Sequence, residues 1–200
     1  MTRQLPDART ALAAFLCALC AGCIDNTTQL CPSNSTSVGS YTLSLAFQPG
    51  SPDECRITKS ADGGSLDASL ATTPGPRDSA LCISSSDGGS PTLILAVRAS
   101  TGPLVLESSL GDGGTFVFTN IPPPTQPSFT ACACTLQVTE TIQGQLLSAS
   151  GDGGVTYTPD AGLSPIQGYS GAFIDALDGG PECRCPMPCA LRYSMTGTRQ

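Results

Sequence analysis

The chain has 200 residues with 9 Lys+Arg, 16 Asp+Glu and 11 Cys, and it contains neither His nor Trp. Charged residues form 12% of the chain, against about 25% in typical proteins, and the formal net charge is −7, which argues against a nucleic-acid-binding protein. Without His, the Ser-His and Cys-His nucleophile pairs and imidazole metal sites are excluded. The sequence itself identifies no reaction and no cofactor.

Residues 1–22 have the features of an export signal. Arg3 and Arg9 precede an apolar stretch of 12 residues at 11–22. A bilayer span needs about 20 residues, whereas the apolar core of a secretory signal has about 7–15. The segment 19–23, Leu-Cys-Ala-Gly-Cys, resembles the bacterial lipobox, in which small residues precede a lipidated Cys. We therefore predict a signal peptide at 1–22 and lipidation of Cys23.

The parity of the cysteines agrees with this prediction. Removing Cys17 and Cys20 with the signal leaves nine cysteines, and lipidating Cys23 leaves eight that can pair fully. An ordinary secreted protein cut before Cys23 would instead keep one free thiol. The eight disulfide candidates are Cys31, Cys55, Cys82, Cys132, Cys134, Cys183, Cys185 and Cys189.

Residues 23–40 are expected to be a lipidated Cys followed by a flexible tether. Segment 24–40 is rich in Ser, Thr and Asn and has too few apolar groups to offset the entropy of ordering. A bridge at Cys31 would pin the tether at one point.

From residue 41 onward, apolar and polar residues alternate with period two, which predicts strands. The clear runs are 41–47, 91–99, 103–108, 115–121 and 129–142, and weaker runs occupy 55–58, 81–84, 155–158, 168–174 and 190–196. No stretch of a dozen residues shows a helical period. We expect an all-β fold, an antiparallel β-sandwich of immunoglobulin-like or related type, with disulfide staples and little helix.

Asp-Gly-Gly occurs five times, beginning at Asp62, Asp87, Asp112, Asp152 and Asp178. Asp-Gly and Gly-Gly tolerate the positive φ angles of tight turns, so these motifs are interpreted as turns between strands. The segment 104–118 is the clearest predicted hairpin. Calcium binding is the alternative, but one carboxylate per loop is a poor cage for an ion that takes 6–8 oxygen ligands.

The proline-rich segment 121–128 is expected to be an extended connector. Two separate domains on either side of it would each have a thin core, so we predict a single domain over residues 41–200 that contains this loop.

Four sulfur-containing residues alternate near the C-terminus: Cys183, Cys185, Met187 and Cys189. They predict a disulfide staple, because exported thiols are usually oxidised. The alternative is a soft-metal site for Cu(I) or Zn, with the same four residues as ligands. Cys132 and Cys134 lie two apart in a predicted strand and point the same way, so each is expected to bond a different partner.

No catalytic residues are predicted. A carboxylate pair of the glycosidase type could use any two of Glu54, Glu107, Glu140 and Glu182, but the sequence does not give their separation in space. Glu140, flanked by Thr139 and Thr141, is interpreted as a solvated or edge charge.

The lipobox, the Ser/Thr-rich tether, the repeated Asp-Gly-Gly turns, the Cys-x-Cys pairs and the use of Arg almost to the exclusion of Lys are together similar to uncharacterised Cys-rich lipoproteins of myxobacteria. The resemblance implies a Gram-negative envelope. Because Ile24 replaces the Asp that some sorting systems use for inner-membrane retention, it implies an outer-membrane address.

We therefore expect a lipid-anchored envelope protein with a structural or binding role, whose partners are a membrane and an envelope protein or polysaccharide. A metal-binding protein (Cu, Zn or calcium) and, more remotely, a carboxylate-dependent polysaccharide hydrolase are the alternatives.

Overall fold

Alternating apolar and polar residues form the strands of this protein, because side chains on a strand point to opposite faces in turn. The computed structural model describes residues 30–59, 64–85, 90–99, 102–122, 134–149, 154–158, 162–180, 183 and 185–200. The strands are β1 (Thr36–Phe47), β2 (Arg56–Lys59), β3 (Ser65–Ser69), β4 (Arg77–Ser84), β5 (Thr92–Ala99), β6 (Gly102–Ser109), β7 (Thr115–Asn120), β8 (Leu136–Ser148), β9 (Tyr157–Thr158), β10 (Gly162–Leu163), β11 (Ile166–Gly179) and β12 (Cys189–Arg199).

Eight strands form one antiparallel sheet in the order β6-β5-β4-β1-β12-β11-β8-β7. Every clear and weak run of the sequence analysis overlaps a strand, and the described residues contain no α-helix. The predicted all-β, antiparallel, sandwich-like and disulfide-stapled fold is confirmed. The sheet includes strands from both sides of the proline-rich segment, of which residues 121 and 122 are described.

The sheet curls until its two outermost strands, β6 and β7, face each other, so the architecture is nearly barrel-like. The predicted hairpin at 104–118 is therefore right about the turn and wrong about the strand pairing. Gly111 donates to the Thr115 carbonyl at 2.8 Å, but β6 pairs with β5 and β7 pairs with β8. Across the gap the Val117 N–H donates to Ser108 Oγ at 3.3 Å, a side-chain bond in place of a ladder bond.

The two ends of the sheet differ, and we define them by where β1 begins and ends. The pocket end is where β1 finishes at Phe47 and β4 begins at Arg77; the far end is where β1 begins at Thr36 and β4 finishes at Ser84. The four long strands β1, β8, β11 and β12 have 11–14 residues and extend at the pocket end beyond β4 to β7, which have 6–8.

The far end is covered in part by the described residues between β8 and β11, and a pocket of about 360 Å³ remains there between β1, β4 and β10. The small β9–β10 pair lies there, and Val155 and Leu163 pack against the apolar interior. Gly114 has φ +85°, and a Cβ at this position would meet the Val155 side chain at 2.8 Å, so the turn before β7 requires glycine for conformation and for space.

The interior of the curled sheet is the main apolar core. Its buried residues are Tyr41, Leu43, Leu81, Leu93, Leu95, Val97, Leu106, Phe116, Phe118, Ile142, Leu146, Val155, Ile166, Tyr169 and Met195. A second cluster at the pocket end contains Cys55, Leu70, Leu136, Leu177, Cys185, Cys189, Leu191 and Tyr193. Leu45 and Phe173 pack against both clusters.

The segment expected to be a tether is ordered over much of its described length. Leu30 is buried against the outer face of β4 and β5, where it contacts a small cluster with Ala80, Ile94 and Ala96. The strand β1 begins at Thr36, five residues before the predicted strand, because Thr36 to Ser40 pair with β4.

Candidate functional site

A pocket of about 220 Å³ lies where the two apolar clusters meet, at the pocket end of the sheet. Its walls come from the long strands, from the ends of the short strands and from the segment before β4. The lining residues are Leu43, Leu45, Pro74, Gly75, Arg77, Val97, Leu104, Glu140, Ile142, Phe173, Asp175 and Met195. Most of this lining is aliphatic or aromatic, with two carboxyl groups and one guanidinium.

Three polar side chains form a row across neighbouring strands at this pocket. Asp175 of β11 lies directly opposite Glu140 of β8, and Glu140 lies opposite Asn120 of β7. Asn120 Nδ2 donates to Glu140 Oε2 at 2.6 Å, which orients the glutamate. Every second residue of a strand points to the same face of the sheet, so Asp175 points inward together with Phe173 and Leu177.

The carboxyl group of Asp175 is the most perturbed group of the site. Its Oδ1 atom is buried and has no hydrogen-bond partner among the described residues. Burial, which disfavours the charged form, raises the pKa of Asp175 to about 7, and the neighbouring Glu140 raises it further in the same direction. The pKa of Tyr193 is also raised, first by burial and then by Asp175. Asp175 therefore exchanges its proton near neutral pH.

The segment before β4 forms one wall of the pocket and is fixed at two points. The Leu70 N–H donates to the Cys55 carbonyl at 3.0 Å, and Tyr193 forms a hydrogen bond with the Thr72 backbone. Pro74 and Gly75 follow directly and line the pocket, with Arg77 exposed beside them.

A second buried polar side chain, that of Ser79, is satisfied internally, whereas the buried Tyr41 hydroxyl beside it has no hydrogen-bond partner among the described residues. Ser79 Oγ donates to the Tyr41 carbonyl at 3.1 Å and lies 2.8 Å from the Tyr169 hydroxyl. Mainly through burial, the pKa of Tyr169 is raised to about 12, so its hydroxyl stays protonated. The rings of Tyr41 and Tyr169 pack edge to face, so this group is part of the core and not a site.

The predicted disulfide candidates that the structure describes are all bonded, which confirms that prediction for seven of the eight cysteines. The pairs are Cys31–Cys82, Cys55–Cys189 and Cys134–Cys183. Cys185 is also disulfide-bonded. Cys132, like the predicted lipidation site Cys23, lies outside the described residues. Cys134 precedes β8 by two residues and so does not lie in the strand as expected, because ladder pairing with β11 begins only at Leu136.

The segment 183–189 therefore holds oxidised sulfur where the metal alternative needs thiolates. Cys183, Cys185 and Cys189 are disulfide-bonded, and Met187 contributes a thioether that contacts Cys189 Sγ at 3.4 Å. Among the described residues, no three His, Cys, Asp or Glu side chains are grouped in a way that could hold a metal ion.

Two of the five Asp-Gly-Gly aspartates, Asp112 and Asp178, are described, and each is exposed. Asp112 begins a short 3₁₀ turn before β7, and the Asp178 carboxylate accepts the N–H of Gly179 at 2.8 Å. Asp62, Asp87 and Asp152 lie outside the described residues.

The carboxylates considered in the sequence analysis are dispersed. Glu54 is buried beside β2, where it accepts the Gly50 N–H at 2.8 Å and pairs with Arg56 at 3.4 Å. Glu107 is exposed on β6, and Glu182 lies outside the described residues. Glu140 is half-buried at the pocket, on a strand that is paired on both sides, and Asn120 and Asp175 lie opposite it on the two neighbouring strands.

Asp175 is the residue of the site that the sequence analysis missed. Extending the weak run 168–174 by one period-two step would have placed Asp175 on the same face as Tyr169 and Phe173. A carboxylate on the buried face of a strand is the signal that could have found it.

Comparisons of this chain with models of known protein families, with curated proteins and with solved structures found no match. Within the described part of the chain, no helix has the length and apolar character needed to cross a membrane.

Proposed function

We propose that the protein is a lipid-anchored protein of the cell envelope that binds a compact ligand in the pocket at Asp175. The observation that carries the binding role is a largely apolar pocket into which a carboxyl group with an unpartnered buried oxygen is placed. Apolar walls with a few convergent polar groups and a perturbed pKa are typical of ligand sites.

The size of the pocket limits the ligand. A cavity of about 150 Å³ holds benzene, and pockets for drug-sized ligands have about 300–1,000 Å³. At about 220 Å³, the pocket suits a ligand of one ring or a short branched chain. A long polysaccharide does not fit within it.

The anchoring part of the proposal is supported by the lipobox-like segment and by the disulfides. The bonded cysteines agree with export, because thiols persist in the cytosol and oxidise beyond the inner membrane. If Cys23 carries the lipid, Cys132 is the one remaining mature cysteine, and we expect it to be the partner of Cys185. By the resemblance to myxobacterial lipoproteins, the membrane is the outer membrane of a Gram-negative cell.

The attachment point of the tether also agrees with a binding role. Cys31 is bonded to Cys82, one residue from the Ile83–Thr36 pair at the far end of the sheet. Cys31 follows Cys23 by eight positions, a span of at most about 29 Å. A lipid at Cys23 would thus hold the far end toward the membrane and leave the pocket end directed away from it.

The binding role is tested with benzyl alcohol, a neutral compact probe, on the chain purified with its disulfides intact. We expect saturable changes in the amide NMR signals of Phe173 and Met195, which line the pocket. Leu104→Trp should abolish them, because a larger side chain fills the pocket. Leu110→Trp is the matched control, since Leu110 packs on the same core outside the pocket. Changes that survive Leu104→Trp would contradict the proposal.

The anchor is tested by mass spectrometry of the N-terminal peptide of the mature protein. We expect Cys23 as the first residue with the added mass of a diacylglycerol and an amide-linked acyl chain. The same digest without reduction should contain a peptide linking Cys132 to Cys185. An unmodified Cys23 would contradict the lipid anchor.

A carboxylate-dependent hydrolase is the second candidate, and the Asp175–Glu140 pair favours it. Directly opposed residues have Cβ atoms about 4.5–5.5 Å apart, and one carboxyl with a raised pKa beside a second carboxyl is the pattern of a general acid with its partner. The apolar walls offer few hydrogen-bond partners for a sugar, which favours binding over hydrolysis. Release of product from a chromogenic glycoside by the wild type, and not by Glu140→Gln, would support the hydrolase.

A further inference from the structure

The charged side chains of the pocket determine which ligand charge it favours. Asp175 and Glu140 contribute two carboxyl groups on adjacent strands, and Arg77 contributes a guanidinium that is exposed to solvent. Solvent screens an exposed charge far more than a buried one. The field within the pocket is therefore dominated by the two carboxyl groups.

The two carboxyl groups are not equivalent. Glu140 receives a hydrogen bond from Asn120, whereas the buried Oδ1 of Asp175 receives none among the described residues. A buried oxygen acceptor without a donor is costly, and two adjacent carboxylates repel each other. A ligand that brings a positive charge with N–H donors beside the two carboxyl groups would offset their repulsion and favour the charged form of Asp175.

The walls around the carboxyl groups define the rest of the ligand. Leu43, Ile142 and Met195 supply apolar surface on the strands of the main core, and Phe173, two residues before Asp175 on β11, adds an aromatic ring. An aromatic face next to a buried carboxylate also attracts cations through its negative π surface. These walls suit an apolar body of a few carbon atoms.

On the basis of the proposed binding role, we propose that the ligand class is a compact primary ammonium ion with an apolar body. Its ammonium head lies between Asp175 and Glu140, and its body fills the space between Ile142, Phe173 and Met195.

Protons compete with the ammonium ion for the carboxylate of Asp175. With its pKa raised to about 7 by burial and by Glu140, Asp175 is neutral below that pH and charged above it. The charged and titratable groups that face it are Glu140 on β8, Tyr193 on β12 and Arg77 at the start of β4. Binding of an amine that stays protonated over the range should strengthen from pH 5.5 to pH 8.

The test compares three probes that share one body and differ only in the charge of the head: benzylammonium, benzyl alcohol and benzoate. Titration calorimetry and amide NMR of the chain with intact disulfides should give benzylammonium at least tenfold tighter binding than benzyl alcohol at pH 8, with benzoate weakest. Asp175→Asn should reduce the ratio of the first two affinities to about one and leave benzyl alcohol bound.

Asp178→Asn is the matched control, because Asp178 lies on the same strand, is exposed and is not part of the pocket. It should preserve the tenfold ratio, which excludes general attraction to a chain of net charge −7. Equal affinities for benzylammonium and benzyl alcohol in the wild type, or tighter binding of benzoate, would overturn the ammonium proposal and leave the binding role intact. Absence of binding by all three probes would overturn the binding role itself.

Discussion

The two ends of the curled sheet are held together by different means. At the far end, Phe116, Tyr169, Val155 and Ile166 pack together inside the sheet, and the β9–β10 pair covers part of this cluster beside a second pocket between β1, β4 and β10. At the pocket end, the long strands extend past the short ones and the interior is left partly open. Two disulfides and the bonded Cys185 lie there, against one disulfide toward the far end.

The difference shows how a small domain keeps a pocket without losing its shape. An unfilled space costs packing contacts that a closed core would provide. Disulfides compensate without occupying the space, because they stabilise largely by restricting the unfolded chain. The pocket end therefore has the larger share of covalent support, and the far end has the larger share of buried aromatic packing.

Removal of the Cys55–Cys189 disulfide should have the largest effect. This bond joins residues 134 positions apart, so the double variant Cys55→Ala/Cys189→Ala should lower the free energy of unfolding by about 4 kcal/mol. Urea denaturation gives the magnitude, and hydrogen exchange gives the place: amides near Phe47 and Leu191 should exchange faster. The control, Cys31→Ala/Cys82→Ala, should leave those amides protected. Equal acceleration at both ends would contradict the assignment of covalent support to the pocket end.

The second-largest effect is expected when an atom is added to the packed interior. A Cβ at Gly197 would meet the ring of the buried Tyr169 at 2.1 Å, and neither the ring nor the strand can move aside. Gly197→Ala should lower the free energy of unfolding by about 3 kcal/mol. Gly75→Ala is the control in the pocket wall, where no atom lies within 4 Å of the added carbon, and its unfolding midpoint should match that of the wild type. Similar losses in both variants would show that the two regions are packed alike.

A smaller, pH-dependent effect is expected at Asp175. Its folded pKa of about 7 exceeds the unfolded value of 3.8, so between these values the folded state holds a proton that the unfolded state has released. This group therefore favours folding below about pH 4, and that contribution is lost as the pH rises through 7. Asp175→Asn should raise the free energy of unfolding at pH 8 by about 1–2 kcal/mol and change it little at pH 4.

The experiment for Asp175 is a series of urea denaturations between pH 4 and pH 8, with Asp178→Asn as the exposed control. The control should follow the wild-type curve throughout. A constant difference between Asp175→Asn and the wild type at all pH values would mean that the carboxyl group does not titrate in this range.

The smallest effect is expected from one hydroxyl in the packed region. Ser79 donates its single proton to the Tyr41 carbonyl, so Tyr169 is the donor in the Ser79–Tyr169 bond. Tyr169→Phe should lower the free energy of unfolding by about 1 kcal/mol, measured by thermal or urea denaturation. Tyr157→Phe, on the half-buried β9, should have no measurable effect. A stabilised Tyr169→Phe variant would show that the bond is not formed.

The alternation of apolar and polar residues was sufficient to predict most strands. Runs such as 41–47 and 115–121 carry their own burial pattern, and this pattern depends only on neighbours along the chain. Of the two-residue strands, β9 overlaps a predicted run, whereas β10 was missed, because Gly162 and Leu163 form no alternating pattern. The cysteines were predicted to be bonded, but eight cysteines allow 105 pairings and their choice depends on the three-dimensional fold.

The pocket could not be predicted, because it depends on strand register. Asp175 and Glu140 lie 35 positions apart in sequence, and only the pairing of β11 with β8 places one opposite the other. A shift of that pairing by one residue would turn one of the two carboxyl groups to the outer face. The hairpin expectation failed for the same kind of reason, since curling of the whole sheet determines whether β6 and β7 pair.

The gap between β6 and β7 affects how the protein can associate with other polypeptide chains. Unpaired strand edges are templates on which other chains can add strands, and a sheet of this kind has two. Here both edges face each other across one short turn, bridged by the Val117–Ser108 bond. Each edge thus shields the other from foreign strands. The five-residue connection 110–114 joins these two edges, so the short loop that does not form a hairpin keeps the unpaired rims of the eight-stranded sheet next to each other.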